Sequence, residues 1–198
     1  SALGDNKIRY YKTPGRVQID LMKVVMRDYK LSSYKLDSVA EAFLNGKVVL
    51  LDGNIVEVDR SIDLHEGGYI KFVESDGELV EDGKKFRIDK IEGNTVILHT
   101  SPKTDDTELK WTMAKDDVKP ADIFRLQKGS ADDRKIVAEY CIQDCILVND
   151  LFDKLDKFVN NIGMSNICLV PIDLLFTRGQ GIKVFSKIAE KCLQKNTA

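Results

Sequence analysis

A tyrosine and an aspartate, Tyr140 and Asp144, stand four positions apart in a segment whose apolar residues recur every three or four positions. This spacing predicts one face of an α-helix, because residues three and four apart project to the same side. The apolar residues that define this face are Val137, Tyr140, Leu147, Leu151, Leu155, Phe158 and Ile162. Asp144 falls on the same face. A carboxylate turned toward a core costs several kcal/mol unless it is paired, neutralised or bound to a metal, so the sequence predicts a partner for Asp144.

Two kinds of partner are open for this aspartate. In the first, Asp144 ligates a divalent metal and the Tyr140 hydroxyl orients a water or substrate oxygen, as two-metal phosphodiester hydrolysis requires. Such chemistry needs several further carboxylates, because Mg²⁺ demands near-octahedral oxygen ligation. In the second, Asp144 is an ordinary core-edge residue paired with a lysine or arginine. A metal ligand should lie at an open edge where other carboxylates converge, whereas a scaffold residue should lie against a basic side chain.

The bulk composition is that of a soluble globular protein, with 198 residues, 43% of them hydrophobic and 31% charged. The length allows one ordinary domain and a small one. No apolar run approaches the roughly 20 residues that span a bilayer, and no signal peptide opens the chain. The four cysteines have no CxxC spacing, and the one-turn separation of Cys141 and Cys145 predicts buried thiols. These features predict a reducing, intracellular location and no membrane partner.

The first 47 residues have the pattern of a strand followed by two helices. Residues 15–20 predict a short strand, and Asp20 at its end is predicted to cap a helix that runs over residues 21–31. A second helix follows, with Ser32 or Ser33 as its N-cap.

Residues 48–114 change to a β pattern. Runs rich in Val, Ile and Phe alternate with turn dipeptides such as Asp52-Gly53 and Gly93-Asn94, which tolerate positive φ and favour tight hairpins. Five or six such strands predict a small antiparallel barrel or sandwich, with Phe86 and Trp111 in its core. The segment holds 15 acidic and 8 basic residues, a net charge of −7, whereas the rest of the chain carries +5. This charge disfavours nucleic-acid binding by the barrel itself.

Helical periodicity returns after residue 114. Ser130 and Asp133 form a capping-box pattern that opens the helix carrying Tyr140 and Asp144. That helix is predicted to reach about residue 161 with a bend, and residues 162–171 are predicted to be a turn and loop. A further helical stretch follows, broken around residues 178–181 by Gly179 and Gly181.

Three segments resemble one family in order and spacing. "PGRVQIDLMKVVMRDYKLSSYKLDSVAEAFL" (14–44) resembles the segment after the second exonuclease motif of family B DNA polymerases. "AEYCIQDCILVNDLFDKL" (138–155) resembles the third exonuclease motif, a Tyr-x-x-x-Asp on a helix. "VPIDLLFTRGQGIKVFSKIAEKC" (170–192) is similar to the stretch that leads to the polymerase palm. The resemblance covers roughly 130 residues, everything except about 48–114, and is to delta-like enzymes, with the viral branch favoured.

The resemblance implies an α/β (α+β) fold, in which a partial RNase H-like exonuclease domain is interrupted by the small β domain. It implies 3′→5′ proofreading of single-stranded DNA ends with Mg²⁺ or Mn²⁺. By position, Asp144 would be a metal ligand and Tyr140 would position the attacking water. Arg178 and Gln180 match a family pattern that is mainly structural, with DNA contact as the alternative.

The resemblance also implies a division of the chain. Residues 1–47 would be the first part of the exonuclease domain, 48–114 the inserted β domain, 115–162 the helix with the third motif, and 163–198 the link to the palm. The first two exonuclease motifs and the palm aspartates have no counterpart here, and the chain lacks an initiator methionine. The sequence therefore predicts an internal piece of a replicative DNA-directed DNA polymerase that is inactive alone.

The predicted partners are DNA and the remainder of the polymerase, in the nucleus or at a viral replication site in the cytoplasm. Three roles remain open for segment 48–114: docking of another replication protein, contact with neighbouring polymerase domains, or none. A competing hypothesis for the whole chain is a noncatalytic binding module whose acidic β domain docks a partner protein.

Overall fold

The computed structural model describes residue 11 and residues 13–115 and 118–195. It divides into two compact units, each described here by itself. The first unit comprises Ser1–Tyr34 and Leu155–Ala198, and the second comprises Lys35–Lys154. The division differs from the one predicted from the sequence, because the helix before the β segment packs on its strands and the long helix after it packs on that helix, all within the second unit.

The second unit contains a closed antiparallel barrel of six strands, where the sequence predicted five or six. The strand order around the barrel is β1-β2-β5-β4-β3-β6. The strands are β1 (Asn45–Asp52), β2 (Ile55–Val58), β3 (Tyr69–Val73), β4 (Phe86–Glu92), β5 (Thr95–Leu98) and β6 (Lys110–Ala114). A 3₁₀ turn, Val80–Gly83, lies between β3 and β4. All the strands in the described part of the chain belong to this barrel, so no second sheet is described there.

Alternating side chains fill the interior of the barrel, as period-2 patterning requires. Phe72, Phe86 and Trp111 are fully buried, and the rings of Phe72 and Phe86 lie 5.4 Å apart between centroids. This confirms the prediction that Phe86 and Trp111 are core residues. The β1–β2 and β4–β5 hairpins turn through two residues each, with Gly53 and Gly93 at φ values of 61° and 62°. These left-handed conformations explain why glycine stands there.

Three helices complete the second unit: α2 (Leu36–Phe43), α3 (Pro120–Gln127) and α4 (Ala131–Lys154). α2 packs on β6 and on α4, and α3 packs on α4. The predicted N-cap of α2 at Ser32 or Ser33 is wrong, since the helix begins at Leu36 after Lys35. The residues before it are held otherwise, because the Tyr34 hydroxyl donates to the carbonyl of Tyr29 at 3.0 Å.

The first unit is helical in its described part. Its helices are α1 (Leu21–Asp28), α5 (Lys157–Cys168), α6 (Ile172–Thr177) and α7 (Gly181–Gln194). Asp20 caps α1, as predicted, by accepting from the Lys23 backbone N–H at 3.2 Å. Lys157 is buried, and its ammonium lies 2.8 Å from the Asp28 carboxylate and 4.7 Å from the centre of the Tyr29 ring. This pairing satisfies a charge that would otherwise be costly to bury.

Two secondary-structure predictions are wrong in the first unit. Residues 15–20 form no strand, because no described strand pairs with them and the Gln18 side chain bonds to the backbone of Tyr11 instead. Residues 162–168 are helical within α5 rather than a loop. The predicted bend and the predicted break near Gly179 are present, since α4 ends at Lys154, Asp156 adopts a left-handed φ of 48°, and α7 begins at Gly181.

Among the described residues, none of the helices combines the length and the apolar character that crossing a bilayer requires.

Candidate active site on the long helix

The long helix α4 places Tyr140 and Asp144 side by side, as the sequence predicts. Its start is fixed by the predicted capping box, in which the Asp133 N–H donates to the Ser130 hydroxyl at 3.1 Å and the Ser130 N–H donates to the Asp133 carboxylate at 2.8 Å. Buried apolar residues along one face then fix the rotation of the helix: Val137, Leu147 and Leu151. Tyr140 and Asp144 lie at the half-buried edge of this face.

The same rotation contradicts the prediction about the thiols. Cys141 and Cys145 are exposed rather than buried. Each follows by one position a residue of the inward face, and one position turns the side chain about 100° around the helix axis. Both thiols therefore lie on the solvent side of α4.

Lys115 is the partner of Asp144, and it directly follows the last barrel strand. Its ammonium lies 2.9 Å from Asp144 Oδ2 and 4.6 Å from the centre of the Tyr140 ring. The Lys115 and Asp144 side chains are 23% and 29% exposed, so this ion pair is partly shielded from solvent. Burial alone would lower the pKa of Lys115. Hydrogen bonds with Tyr140 and Asp144 outweigh this effect of burial, so the pKa of Lys115 lies above its ordinary value. One cation thus joins both predicted site residues.

Contact with a basic side chain is the arrangement expected of an aspartate paired in a salt bridge, rather than of a metal ligand. Within the described ranges, no group of three or more His, Cys, Asp or Glu side chains could hold a metal ion. The pairing is nevertheless incomplete, because Asp144 Oδ1 is buried and accepts no hydrogen bond from any described residue. A buried carboxylate oxygen without a donor is costly, and it suits a cation. Asp144 therefore fits the role of one oxygen ligand, while a complete coordination shell needs further groups.

A small cavity lies beside this cluster, between α4 and the ends of the barrel strands. Its volume is about 70 Å³, which suits a few waters or an ion rather than a nucleotide. Two contacts near it tie the barrel to α4. Gln143 donates to the Gly67 carbonyl at 2.9 Å, and the His65 ring lies 2.8 Å from the Asp150 carboxylate. The barrel therefore fixes the segment of α4 that carries Asp144.

The other predicted site residues, Arg178 and Gln180, lie in the first unit. Both are exposed, in the connection between α6 and α7. Gln180 is the residue immediately before α7, and its carbonyl accepts from the Lys183 N–H at 3.0 Å. Their position at a helix start agrees with the structural interpretation of this motif, and DNA contact by them stays a prediction.

Sequence reasoning missed Lys115 because nothing local marks it. The sequence predicted a lysine or arginine as one possible partner of Asp144, but the chain holds 30 such residues. Only the closure of the barrel, which ends at Ala114, shows which of them is placed against α4.

Comparison with known proteins shows similarity to DNA polymerases. Residues 1–39 match the profile of the DNA polymerase family B exonuclease domain. The DNA polymerase of Pyramimonas orientalis virus is 43% identical over 196 residues, which cover 99% of this chain and 15% of that protein. That of Acanthamoeba polyphaga mimivirus is 31% identical over 251 residues, covering 99% of this chain and 14% of that protein. The DNA polymerase delta catalytic subunit of Schizosaccharomyces pombe is 30% identical over 193 residues, covering 98% of this chain and 12% of that protein.

These matches support a family B DNA polymerase exonuclease region, with viral and delta-type relatives. The chain spans between 12% and 15% of the length of the three relatives named above. Exonuclease domains of this family generally use divalent metals. The hypothesis of a noncatalytic binding module is not favoured by these relatives.

Proposed function

We propose that this chain contributes to the 3′→5′ proofreading exonuclease of a replicative DNA-directed DNA polymerase, which hydrolyses single-stranded DNA ends. The observation that carries the proposal is the meeting of Tyr140, Lys115 and a buried, unpartnered oxygen of Asp144 in a chain related to DNA polymerases. In this proposal residues 1–47 and 115–162 belong to an RNase H-like domain that the barrel, residues 48–114, interrupts. Residues 163–198 lead toward the palm.

Each residue of the cluster has a separate role in this proposal. Asp144 supplies a carboxylate oxygen to Mg²⁺ or Mn²⁺, and its unpartnered Oδ1 is the atom suited to that contact. Tyr140, one helical turn earlier, directs its hydroxyl at the attacking water or a phosphate oxygen. Lys115 holds the carboxylate by its second oxygen and places a positive charge where a phosphate would bind. A divalent cation, when bound, supplies the activation of water and the neutralisation of charge on the leaving oxygen.

One carboxylate is too few for this reaction, because Mg²⁺ requires several oxygen ligands. We infer that the remaining ligands come from other parts of the polymerase and that the chain alone has negligible nuclease activity and no polymerase activity. The proposed partners are therefore DNA, as single-stranded 3′ ends and primer-template, and the rest of the enzyme. Arg178 and Gln180 are proposed only as secondary DNA contacts.

The proposed setting is intracellular, in the nucleus or at a viral replication site in the cytoplasm. The acidic barrel is proposed to dock another replication protein, and it does not bind DNA itself in this proposal, because its charge of −7 repels phosphate.

A chimeric polymerase tests the exonuclease proposal. The matching segment of the Pyramimonas orientalis virus enzyme would be replaced by this chain, and Mn²⁺-dependent degradation of 3′-labelled single-stranded DNA would be measured. We expect Asp144→Ala to lower the degradation rate by about a hundredfold or more, and Tyr140→Phe by about tenfold, because each removes a group that acts on the reacting atoms.

The matched control is Asp153→Ala, which removes an exposed carboxylate from the same helix. It should leave the degradation rate unchanged. Primer extension by every variant checks that the chimera folds. If Asp144→Ala retained full exonuclease activity in a chimera that extends primers, Asp144 would have no part in the reaction and the proposal would fall.

A further inference from the structure

The barrel exposes an apolar patch on the outer side of strands β1, β2 and β5. Ile55 on β2 and Ile97 on β5 are direct cross-strand partners that point outward, and Ile55 is 44% exposed. Leu50 on the neighbouring strand is 58% exposed. We call Val49, Leu50, Ile55 and Ile97 the outer patch. Contiguous exposed apolar residues of this kind mark interaction surfaces more often than scattered ones do.

A β-bulge creates part of the outer patch. The register of β1 against β2 shifts between Val48 and Leu50. As a result two successive side chains, Val49 and Leu50, are both exposed, at 61% and 58%. A regular strand would turn one of them inward, since successive side chains alternate between faces. Bulges re-aim side chains in this way, and here the bulge adds one more apolar residue to the surface.

Carboxylates are interleaved with these apolar side chains. The outward cross-strand partner of Leu50 is Glu57, and that of Ile55 is Asp52. On the far strand, Lys90 is the partner of Ile97, but its charge is neutralised by Glu92 at 2.6 Å. The barrel segment as a whole holds 15 acidic and 8 basic residues. The outer patch is therefore apolar and negatively charged together, which excludes a phosphate backbone as its occupant.

We propose that the outer patch binds a protein segment in which lysine or arginine side chains flank apolar ones. The apolar residues of such a segment cover Leu50, Ile55 and Ile97, and its cations meet Asp52 and Glu57. Complementary charge speeds association and selects the partner, while the apolar contact supplies the lasting affinity. The proposal that this partner is a replication protein rests on the proposed function, whereas the location and chemistry of the surface do not.

Methyl NMR of this chain, labelled at Ile, Leu and Val, tests the proposal. The probe is a short synthetic peptide of alternating lysine and leucine, compared with the same peptide carrying glutamate in place of lysine. We expect the lysine peptide to shift the methyl signals of Leu50, Ile55 and Ile97, and the glutamate peptide to shift none. Ile62 is 82% exposed in the same unit, so its methyl signal should stay in place.

Variants separate a specific surface from general adsorption to an acidic protein. Leu50→Ser combined with Ile55→Thr should weaken binding by about tenfold, and Glu57→Lys should weaken it most at low salt. The control Ile62→Ser should leave the affinity unchanged, and unshifted signals of buried Ile70 would show that the barrel is folded. Equal shifts at Ile62, or equal affinity in the double variant, would overturn the proposal. Neither result depends on the exonuclease measurement.

Discussion

The ion pair between Lys115 and Asp144 allows a quantitative test of the site by a double-mutant cycle. Exposed ion pairs contribute about 0.2–1 kcal/mol, whereas breaking a buried pair costs about 3–5 kcal/mol. The two side chains are 23% and 29% exposed and 2.9 Å apart, which places this pair between those limits. We expect Lys115→Met to lower the free energy of unfolding by about 2 kcal/mol, because it leaves both carboxylate oxygens without a donor.

The other two variants of the cycle should behave differently. Asp144→Asn should cost about 1 kcal/mol, since Lys115 keeps its contact with the Tyr140 ring and an amide oxygen can still accept its hydrogen bond. The double variant should lose less than the sum of the single variants, with a coupling energy of about 1 kcal/mol.

The single tryptophan of the chain makes the measurement direct. Trp111 is fully buried in the barrel, within the same unit as Lys115 and Asp144, so its fluorescence in urea reports unfolding of that unit. The control is the pair Lys90 and Glu92, 2.6 Å apart but both 59% exposed, for which we expect a coupling energy below about 0.5 kcal/mol. If the Lys115 and Asp144 variants were additive within about 0.3 kcal/mol, the contact would contribute nothing to stability and the reasoning would be refuted.

Two further predictions concern glycine packing in the two units and the cap of α4. Gly46→Ala should lower the free energy of unfolding by about 2–3 kcal/mol in urea, because a Cβ there would lie 2.7 Å from the buried Trp111 Nε1. Gly163→Ala, in helix α5 of the first unit with no neighbour within 4 Å, should instead stabilise that unit by about 0.5–1 kcal/mol when urea unfolding is followed by circular dichroism, and a loss of stability there would contradict the packing argument. Hydrogen bonds from the Ser130 backbone and hydroxyl lower the pKa of Asp133, so the stability this carboxylate contributes is present above its ordinary pKa of 3.8 and is lost as the pH falls through the lowered pKa. Ser130→Ala should raise the pKa of Asp133 in an NMR titration of its carboxyl, because it removes the hydroxyl hydrogen bond while the backbone one remains, and an unchanged pKa would show that the hydroxyl does not lower it.

Local sequence patterns predicted the elements that are stabilised by residues close together in the sequence. The capping box of Ser130 and Asp133 marked the start of α4, and glycines at positive φ marked two hairpins of the barrel. Residues 15–20 have a strand-like composition, but a strand exists only where another strand pairs with it, and sequence pattern cannot supply that partner. Residues 162–168 contain a glycine and small polar residues typical of loops, yet they continue a helix, because Cys168 packs in a core with Val170 and Leu175. Tertiary packing overrode propensity there.

The candidate site shows even more clearly that sequence patterns do not predict contacts between residues distant in the chain. Helical spacing alone predicted that Tyr140 and Asp144 lie together, because residues four positions apart on a helix are always neighbours. Lys115 and Asp144 are 29 positions apart in the sequence. They are in contact because β6 pairs with β1 to close the barrel, and Lys115, the residue after β6, lies beside α4. The sequence therefore predicted that Asp144 needs a partner, and the topology of the barrel decided which residue that partner is.

The dependence of the Asp144 contact on the barrel bears on whether the barrel is a dispensable insertion. A tolerated surface insertion would meet its host only at its two ends. Here the barrel contacts α4 away from those ends, through Gln143 to Gly67 and through Asp150 to His65, within about two turns of Asp144. These contacts lie on both sides of Asp144 along the helix and resist its rotation about its own axis. A helix that must aim one carboxylate at a metal or phosphate gains from such a support, since a small rotation moves the oxygen away from its target. These contacts favour a barrel that is part of the framework orienting Asp144, while the outer patch stays exposed on the barrel surface.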